Sequence, residues 1–301
     1  MTQFHSRFSE TIGLKTHYLE AGEGGYPMVL LHSGEYGGCA ESSWSTTISL
    51  LASAGFHVYA PDWLGFGQSD KIVDFVNPRG RRLQHMGQFI HNLRLSEPPV
   101  IVGNSMGGTY LVQELANGNT AFEAAAAVVV SGGGFVPDNE ARRVIQEYDL
   151  TKEGMRRILG VLLHDRKWTE DEDFVVWRHE LSLVPGAWQC AAAARLNPPG
   201  PPHRGGEFGK EDRTRYEDVR CPTLVVAGAE DPLRLPDYAT EISRRIPSGE
   251  LLTYENCGHM PNIEFPDRFV KDVVNFSRRN INRDPSSFDG PEIAYANRSQ
   301  P

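Results

Sequence analysis

Three residues far apart in the chain carry the groups of a nucleophilic relay: Ser105, Asp231 and His259. A serine hydroxyl is a poor nucleophile near neutral pH. It needs a base to take its proton, and the base needs an acid to orient it. Ser105 lies in Gly103-Asn104-Ser105-Met106-Gly107, a Gly-x-Ser-x-Gly pattern. The β-branched run at 100–102 reads as a buried strand before it, and 106–115 reads as a helix after it. A serine wedged between strand end and helix start takes a cramped backbone conformation, which flanking glycines permit. Its oxygen then sits at the positive end of a helix dipole. A glycine-rich turn with an incidental serine is the plainer alternative, and the strand-then-helix context favours the nucleophile.

The other two groups also follow strand patterns. Residues 223–228 lead into Ala229-Glu230-Asp231-Pro232, and 251–254 lead into Glu255-Asn256-Cys257-Gly258-His259-Met260-Pro261. Loops after the strands of an open parallel sheet share one edge, so the three side chains can converge there. The order Ser, Asp, His is the one expected with this serine turn. Glu230 is the alternative acid, but the residue just before Pro232 fits the turn better. His259 is one of ten histidines. His32 opens a glycine loop and reads as its buttress, and the others lack a strand-end glycine context. Asp62, followed by Gly65-Phe66-Gly67-Gln68-Ser69, reads as a turn-bracing carboxylate. A tetrahedral intermediate needs N–H donors aimed at its oxyanion. The backbone N–H of Met106 supplies one. Gly34, in His32-Ser33-Gly34-Glu35-Tyr36-Gly37-Gly38, supplies the other.

The elements that must position these groups alternate. An antiparallel hairpin over 4–8 and 14–19 is followed by strands at 28–32, 56–60, 100–102 and 125–131. Helices at 42–54, 83–95 and 106–115 separate them, a pattern of parallel sheet covered on both faces. From 135 to 216 no strand is evident, and helical segments at 139–148, 152–163, 170–183 and 188–196 form an insertion. It closes on the proline-rich stretch 197–206, which can be neither helix nor central strand. The sheet pattern resumes at 223–227 and 250–254, with helices at 236–245 and 267–279. The division expected is a core of 1–134 and 217–280, an inserted unit of 135–216, and a polar tail of 281–301 without periodicity.

Composition bounds the rest. The chain has 301 residues, 40% hydrophobic and 23% charged, ample for a large core. A net charge of −9 lacks the electrostatic footprint of nucleic-acid binding. Residues 1–10 are polar, with no secretory apolar core, and no apolar run approaches membrane-spanning length. The four cysteines, Cys39, Cys190, Cys221 and Cys257, show no paired spacing. They read as reduced thiols of a cytoplasmic protein, not as a metal site or disulfide frame. The expected partner is a small-molecule substrate, and self-association stays open.

With these residues in place, the chain resembles the α/β-hydrolase superfamily over nearly its whole length. Gly-Asn-Ser-Met-Gly-Gly at 103–108 is similar to the meta-cleavage-product hydrolases, which cut carbon–carbon bonds in vinylogous 1,5-diketones from ring-opened aromatics. The resemblance implies an α/β-hydrolase fold, with a mostly parallel eight-stranded sheet, an inserted helical lid over the site and no cofactor. It maps the triad onto Ser105, Asp231 and His259, and the oxyanion hole onto Gly34 and Met106. An arginine of the lid holds the carboxylate and keto-enol end of the substrate in those enzymes, and Arg178 falls at that place. Ser33, Trp177 and Met260 fall among the substrate-binding positions. Two departures stand out. The loop after His32 carries Glu35 and Tyr36 instead of further glycine, and Met260 and Thr46 stand where those enzymes usually have tryptophan and asparagine. The activity implied is serine-dependent cleavage of a carbon–carbon bond. The alternatives are a carboxylesterase or lactonase on an apolar ester, and a non-hydrolytic binder or cyclase on the same scaffold.

Overall fold

The computed structural model describes residues 3–118, 121, 123–193 and 209–281. The proline-rich stretch, the end of the helix expected over 188–196 and nearly all of the expected tail lie outside these residues. An eight-stranded sheet runs β1-β2-β4-β3-β5-β6-β7-β8. The strands are His5–Thr11 (β1), Leu14–Ala21 (β2), Tyr26–Leu31 (β3), Phe56–Pro61 (β4), Val100–Asn104 (β5), Ala126–Val130 (β6), Thr223–Gly228 (β7) and Gly249–Tyr254 (β8). The hairpin β1–β2 joins the sheet antiparallel through β2 and β4, and every later pairing is parallel. This is the mostly parallel architecture expected from the alternating pattern. Strands β3, β5, β6 and β7 are buried along their whole length, as continuous apolar runs covered on both faces must be.

Helices cover each face. On one side Ala40–Trp44 (α1), Ile48–Ser53 (α2) and, at the C-terminal end, Pro266–Asn280 (α11) pack Trp44, Leu51, Phe269 and Val273 onto Met28, Val102 and Val128. On the other, Pro78–Asn92 (α3), Met106–Asn117 (α4) and Tyr238–Arg245 (α10) pack Phe89, Leu111 and Ile242 onto Val29, Ile101 and Val129. The one helix expected over 42–54 is two. Thr47 turns both its N–H and its hydroxyl back onto Trp44 O, so the serine–threonine run Ser45-Thr46-Thr47 breaks the ladder. Helix α3 starts earlier than apolar spacing suggests, because Pro78 opens it and the Asn77 side chain caps Gly80 N–H at 3.0 Å.

Between β6 and β7, adjacent in the sheet, the chain makes Glu140–Gln146 (α5), Lys152–Leu162 (α6), Lys167–Glu170 (α7), Glu172–Ser182 (α8) and Ala187–Ala192 (α9). These have their own apolar cluster, in which Met155, Ile158, Leu159 and Val175 meet Tyr36 and Met260 from the sheet side. The insertion is thus packed onto the loops that follow β3 and β8. The helix expected over 170–183 begins at Glu172, because Asp171 accepts Phe174 N–H as its N-cap.

Buried His85 on α3 makes its side-chain hydrogen bond to Thr16 Oγ1 at 2.9 Å, and burial lowers its pKa from 6.5 to about 4. A group with a depressed folded pKa contributes stability that is whole above its unfolded pKa and is lost as pH falls towards the folded one. Chemical denaturation should therefore show about 2 kcal/mol of stability lost between pH 7 and pH 5 through this residue. His85→Gln should flatten that slope; an equally steep slope in the variant would show that His85 is not its source.

Candidate active site

The backbone around Ser105 is built from near-contacts that only glycine allows. Ser105 has φ 53° and ψ −110°, a conformation costly for any residue with a side chain. It is held by its N–H on Val130 O at 2.8 Å and by Thr109, whose N–H and hydroxyl both donate to Ser105 O. A Cβ on Gly103 would stand 2.6 Å from Gly107 C, and one on Gly107 would stand 2.4 Å from Leu31 O. Strand β5, helix α4 and the end of β3 therefore cross with no room for a methyl group. That crossing puts Ser105 at the sheet edge and leaves it half-buried.

Two more loops bring their side chains to the same edge. After β7, Asp231 Oδ1 accepts Leu233 N–H at 2.9 Å. Arg234 ties the loop down by donating from Nε and Nη2 to Ser131 O and from Nη1 to Gly133 O. After β8, the His259 N–H donates to Leu162 O at the end of α6, at 2.8 Å. Glu264 accepts Gly258 N–H with one oxygen and His164 and Asp165 N–H with the other, which fastens the histidine loop to the insertion. The two loops touch main chain to main chain: a Cβ on Gly228 would lie 1.9 Å from Gly258 O.

The result is one hydrogen-bonded line. His259 Nδ1 lies 2.6 Å from Asp231 Oδ2, and His259 Nε2 lies 2.7 Å from Ser105 Oγ. The histidine and aspartate side chains are 1% and 2% exposed, so water does not compete for the contact between them. Burial opposes ionisation of Asp231, but His259, Arg234 and the Leu233 N–H together hold its pKa below the usual carboxylate value. An ionised Asp231 accepts the proton on Nδ1, which leaves Nε2 as acceptor for the serine hydroxyl. Glu230, the alternative acid, is instead spent on Cys257 N–H at 2.8 Å.

Ser105 and His259 open on a cavity of ≈ 270 Å³ together with Gly34 and Met106. Met106 begins α4, so its N–H has no partner within the helix. A Cβ on Gly34 would come 2.6 Å from Met106 Sδ, which shows how closely the two candidate oxyanion residues face each other. Phe66, Tyr110, Val136, Ile145, Leu162 and Leu233 make much of the wall apolar, while Glu35, Arg82, Arg142, Gln146 and Arg234 add polar groups. His32 is fully buried; burial lowers its pKa, and its Nε2 accepts Trp63 N–H at 2.9 Å. Its Nδ1–H therefore donates to Ser33 O at 2.6 Å and pins the Gly34 loop. Asp62 braces turns, accepting Ala40 N–H and Gln68 N–H.

The remaining candidates from sequence do not line this cavity. Ser33 is buried against Ser43, at 3.2 Å between hydroxyls. Met260 packs into the apolar cluster of the insertion. Trp177 reaches Glu41 Oε1 at 3.4 Å. Arg178, 0% exposed, donates to Glu35 Oε1 at 2.7 Å. Sequence reasoning passed over Glu35, Arg142, Gln146 and Arg234. For Glu35 a signal was present, an acid immediately after the proposed oxyanion glycine. For Arg142 and Gln146, on the helix at 140–146, none was, since polar residues on a helix normally face solvent.

Fold and site together define a hydrolase of the α/β class. The model of the Alpha/beta hydrolase family matches residues 28–272, and the chain belongs to that family. It is 32% identical over 280 residues to the 2-hydroxy-6-oxo-6-(2'-aminophenyl)hexa-2,4-dienoic acid hydrolase of Metapseudomonas resinovorans, a match covering 91% of each chain. It is 30% identical over 268 residues to the 2-hydroxymuconate semialdehyde hydrolase of Pseudomonas putida, over 88% of this chain and 91% of the other. Among solved structures, a serine hydrolase involved in carbazole degradation superposes with a TM-score of 0.77 at 27% identity. That match covers 92% of this chain and 100% of the other. No helix among the described residues is long and apolar enough to cross a membrane.

The crossing at Ser105 yields a stability test. Gly107→Ala should cost about 3 kcal/mol or more in urea unfolding, because the methyl group meets main chain. Gly13→Ala is the control: φ is +74° there, but nothing lies within 4 Å. Its cost should be about 1 kcal/mol, the left-handed backbone penalty alone. Equal costs at the two positions would count against the crossing as the constraint.

Proposed function

We propose that the protein is a serine-dependent hydrolase that cleaves a carbon–carbon bond in a vinylogous diketone of the meta-cleavage type, in the breakdown of an aromatic compound. The observation that carries the serine chemistry is the Ser105–His259–Asp231 line opening on the cavity. The choice of bond is supported by two relatives at 30% identity or more, one named as the hydrolase of a 2-hydroxy-6-oxo-dienoic acid and the other as a 2-hydroxymuconate semialdehyde hydrolase.

In this reading His259 Nε2 takes the proton of Ser105, and Asp231 holds the imidazole in the tautomer that permits it. The N–H groups of Gly34 and Met106 stabilise the oxyanion that forms on the attacked carbonyl. For the diketone, ketonisation comes first. It makes the carbon fragment a leaving group whose charge is delocalised: the carbon–carbon bond breaks, the proton held on His259 passes to that carbon, and a water deprotonated by His259 then hydrolyses the acyl group from Ser105. The helices between β6 and β7 act as a lid, with α5 and α6 giving Ile145, Gln146 and Leu162 to the wall. The apolar wall suits an aromatic or alkyl body. Hydrolysis of a small apolar ester or lactone is the second reading. The same groups perform it without a prior ketonisation.

Ser105→Ala should lower kcat by about three orders of magnitude or more, and Asp231→Asn by a comparable factor. Steady-state rates on a 2-hydroxy-6-oxo-dienoate against aryl esters decide the bond. Turnover of the esters alone would leave the second reading standing. Unchanged rates in Ser105→Ala would remove the serine mechanism.

A further inference from the structure

Beside the nucleophile, one residue of the wall is held in an ion pair that the chemistry above does not use. Glu35 follows Gly34 directly and lines the cavity. Its Oε1 accepts from Arg178 Nη2 at 2.7 Å, and the two side chains are 4% and 0% exposed. The loop is shaped for this contact. A Cβ on Gly38 would lie 3.1 Å from Glu35 Oε2, and one on Gly37, where φ is +75°, would lie 3.0 Å from Arg178 O. These two glycines let the loop fold down on α8 and turn the carboxylate onto the guanidinium. Nε and Nη1 of Arg178 have no hydrogen-bond partner among the described residues, so Glu35 is the anion that meets this cation.

A buried guanidinium draws any carboxylate that can reach it, and a paired one does so far less, because its charge is already balanced. We propose that Glu35 is the specificity-determining residue of this wall. It occupies Arg178 from within the protein, so the substrate group lying against it is uncharged, a carbonyl, enol or alkyl group and not an ionised acid. The inference deepens the hydrolase reading and rests on it for the substrate, though not for the pair; the carboxylate of a dienoate would lie elsewhere in the cavity, away from Glu35. An ionised acid placed here would meet Glu35 as a like charge and would have to displace it.

The test uses two 4-nitrophenyl esters of equal acyl length, the butyrate and the half-ester of succinic acid, which ends in a carboxylate. The unmodified protein should favour the butyrate in kcat/KM by about tenfold or more. Glu35→Ala empties a carboxylate-sized space ending at Arg178. It should shift that ratio by about tenfold or more towards the half-ester, through KM and not kcat. Propionate should then inhibit Glu35→Ala competitively, and the Glu35→Ala/Arg178→Met protein should lose that inhibition. A ratio unchanged by Glu35→Ala, or propionate inhibition that survives the double substitution, overturns the proposal. Should Glu35→Ala not fold, the isosteric Glu35→Gln is expected to move the ratio in the same direction, and an unchanged ratio overturns it equally. If the unmodified protein turns over neither ester and a fluorophosphonate leaves Ser105 unlabelled, the hydrolase reading falls. Calorimetric binding of propionate to Glu35→Ala then judges Glu35 alone, and absence of binding overturns its role.

Discussion

The structure depends on one steric constraint, the crossing of β3, β5 and α4 at glycine. Gly103, Gly107 and Gly108 each face main-chain atoms at distances no Cβ could keep, and Gly132, after β6, meets Gly108 in the same way. Because the elements are pressed together there, Ser105 is forced to φ 53° and cannot relax. A strained residue persists only where the surroundings over-determine it, and here Gly103, Gly107 and Leu31 meet through main-chain atoms beside it. The nucleophile candidate is therefore as rigid as the core, while the groups that serve it come from loops.

Those loops are made rigid by different means. Arg234 spends its donors on the carbonyls of Ser131 and Gly133, and Glu264 spends both oxygens on main-chain N–H groups. Burial raises the pKa of Glu264, and the N–H groups it accepts work against that rise. His259 is consequently anchored to the insertion through Leu162 O as well as to the sheet. Movement of α6 would carry the histidine with it. The described geometry thus couples the position of α6 to the alignment of the relay.

Side-chain identity does not by itself make such a relay. Ser6 Oγ lies 2.9 Å from His17 Nε2, and His17 Nδ1 lies 2.7 Å from Asp62 Oδ2, the same three groups in the same order. Yet Ser6 sits near the start of edge strand β1, paired with Leu19, with no helix starting beside it. Asp62 is occupied as well by Ala40 and Gln68 N–H. Here the trio fastens the hairpin to the turn after β4. What separates the two arrays is position: a strand-to-helix turn and a cavity beside the oxygen.

Much of this was legible in the chain itself. Continuous apolar runs at β3, β5, β6 and β7 announce parallel strands buried on both faces, and Gly-x-Ser-x-Gly between strand and helix announces the serine turn. Both are local signals, because backbone sterics and burial act over a few residues. The candidate Asp231 and His259 could be read from strand ends, since the topology of an open sheet sends all those loops to one edge. The break between α1 and α2 was missed, because apolar spacing runs through it while Thr47 quietly takes the backbone bonds. The cavity walls were decided only by tertiary structure. Arg178 looked open to a ligand as a lone residue in the sequence. Its partner Glu35 lies 143 residues away, and which charge meets which depends on how the insertion packs on the loop after β3. Local pattern sets which groups reach the sheet edge; only packing sets which of them are left for a substrate.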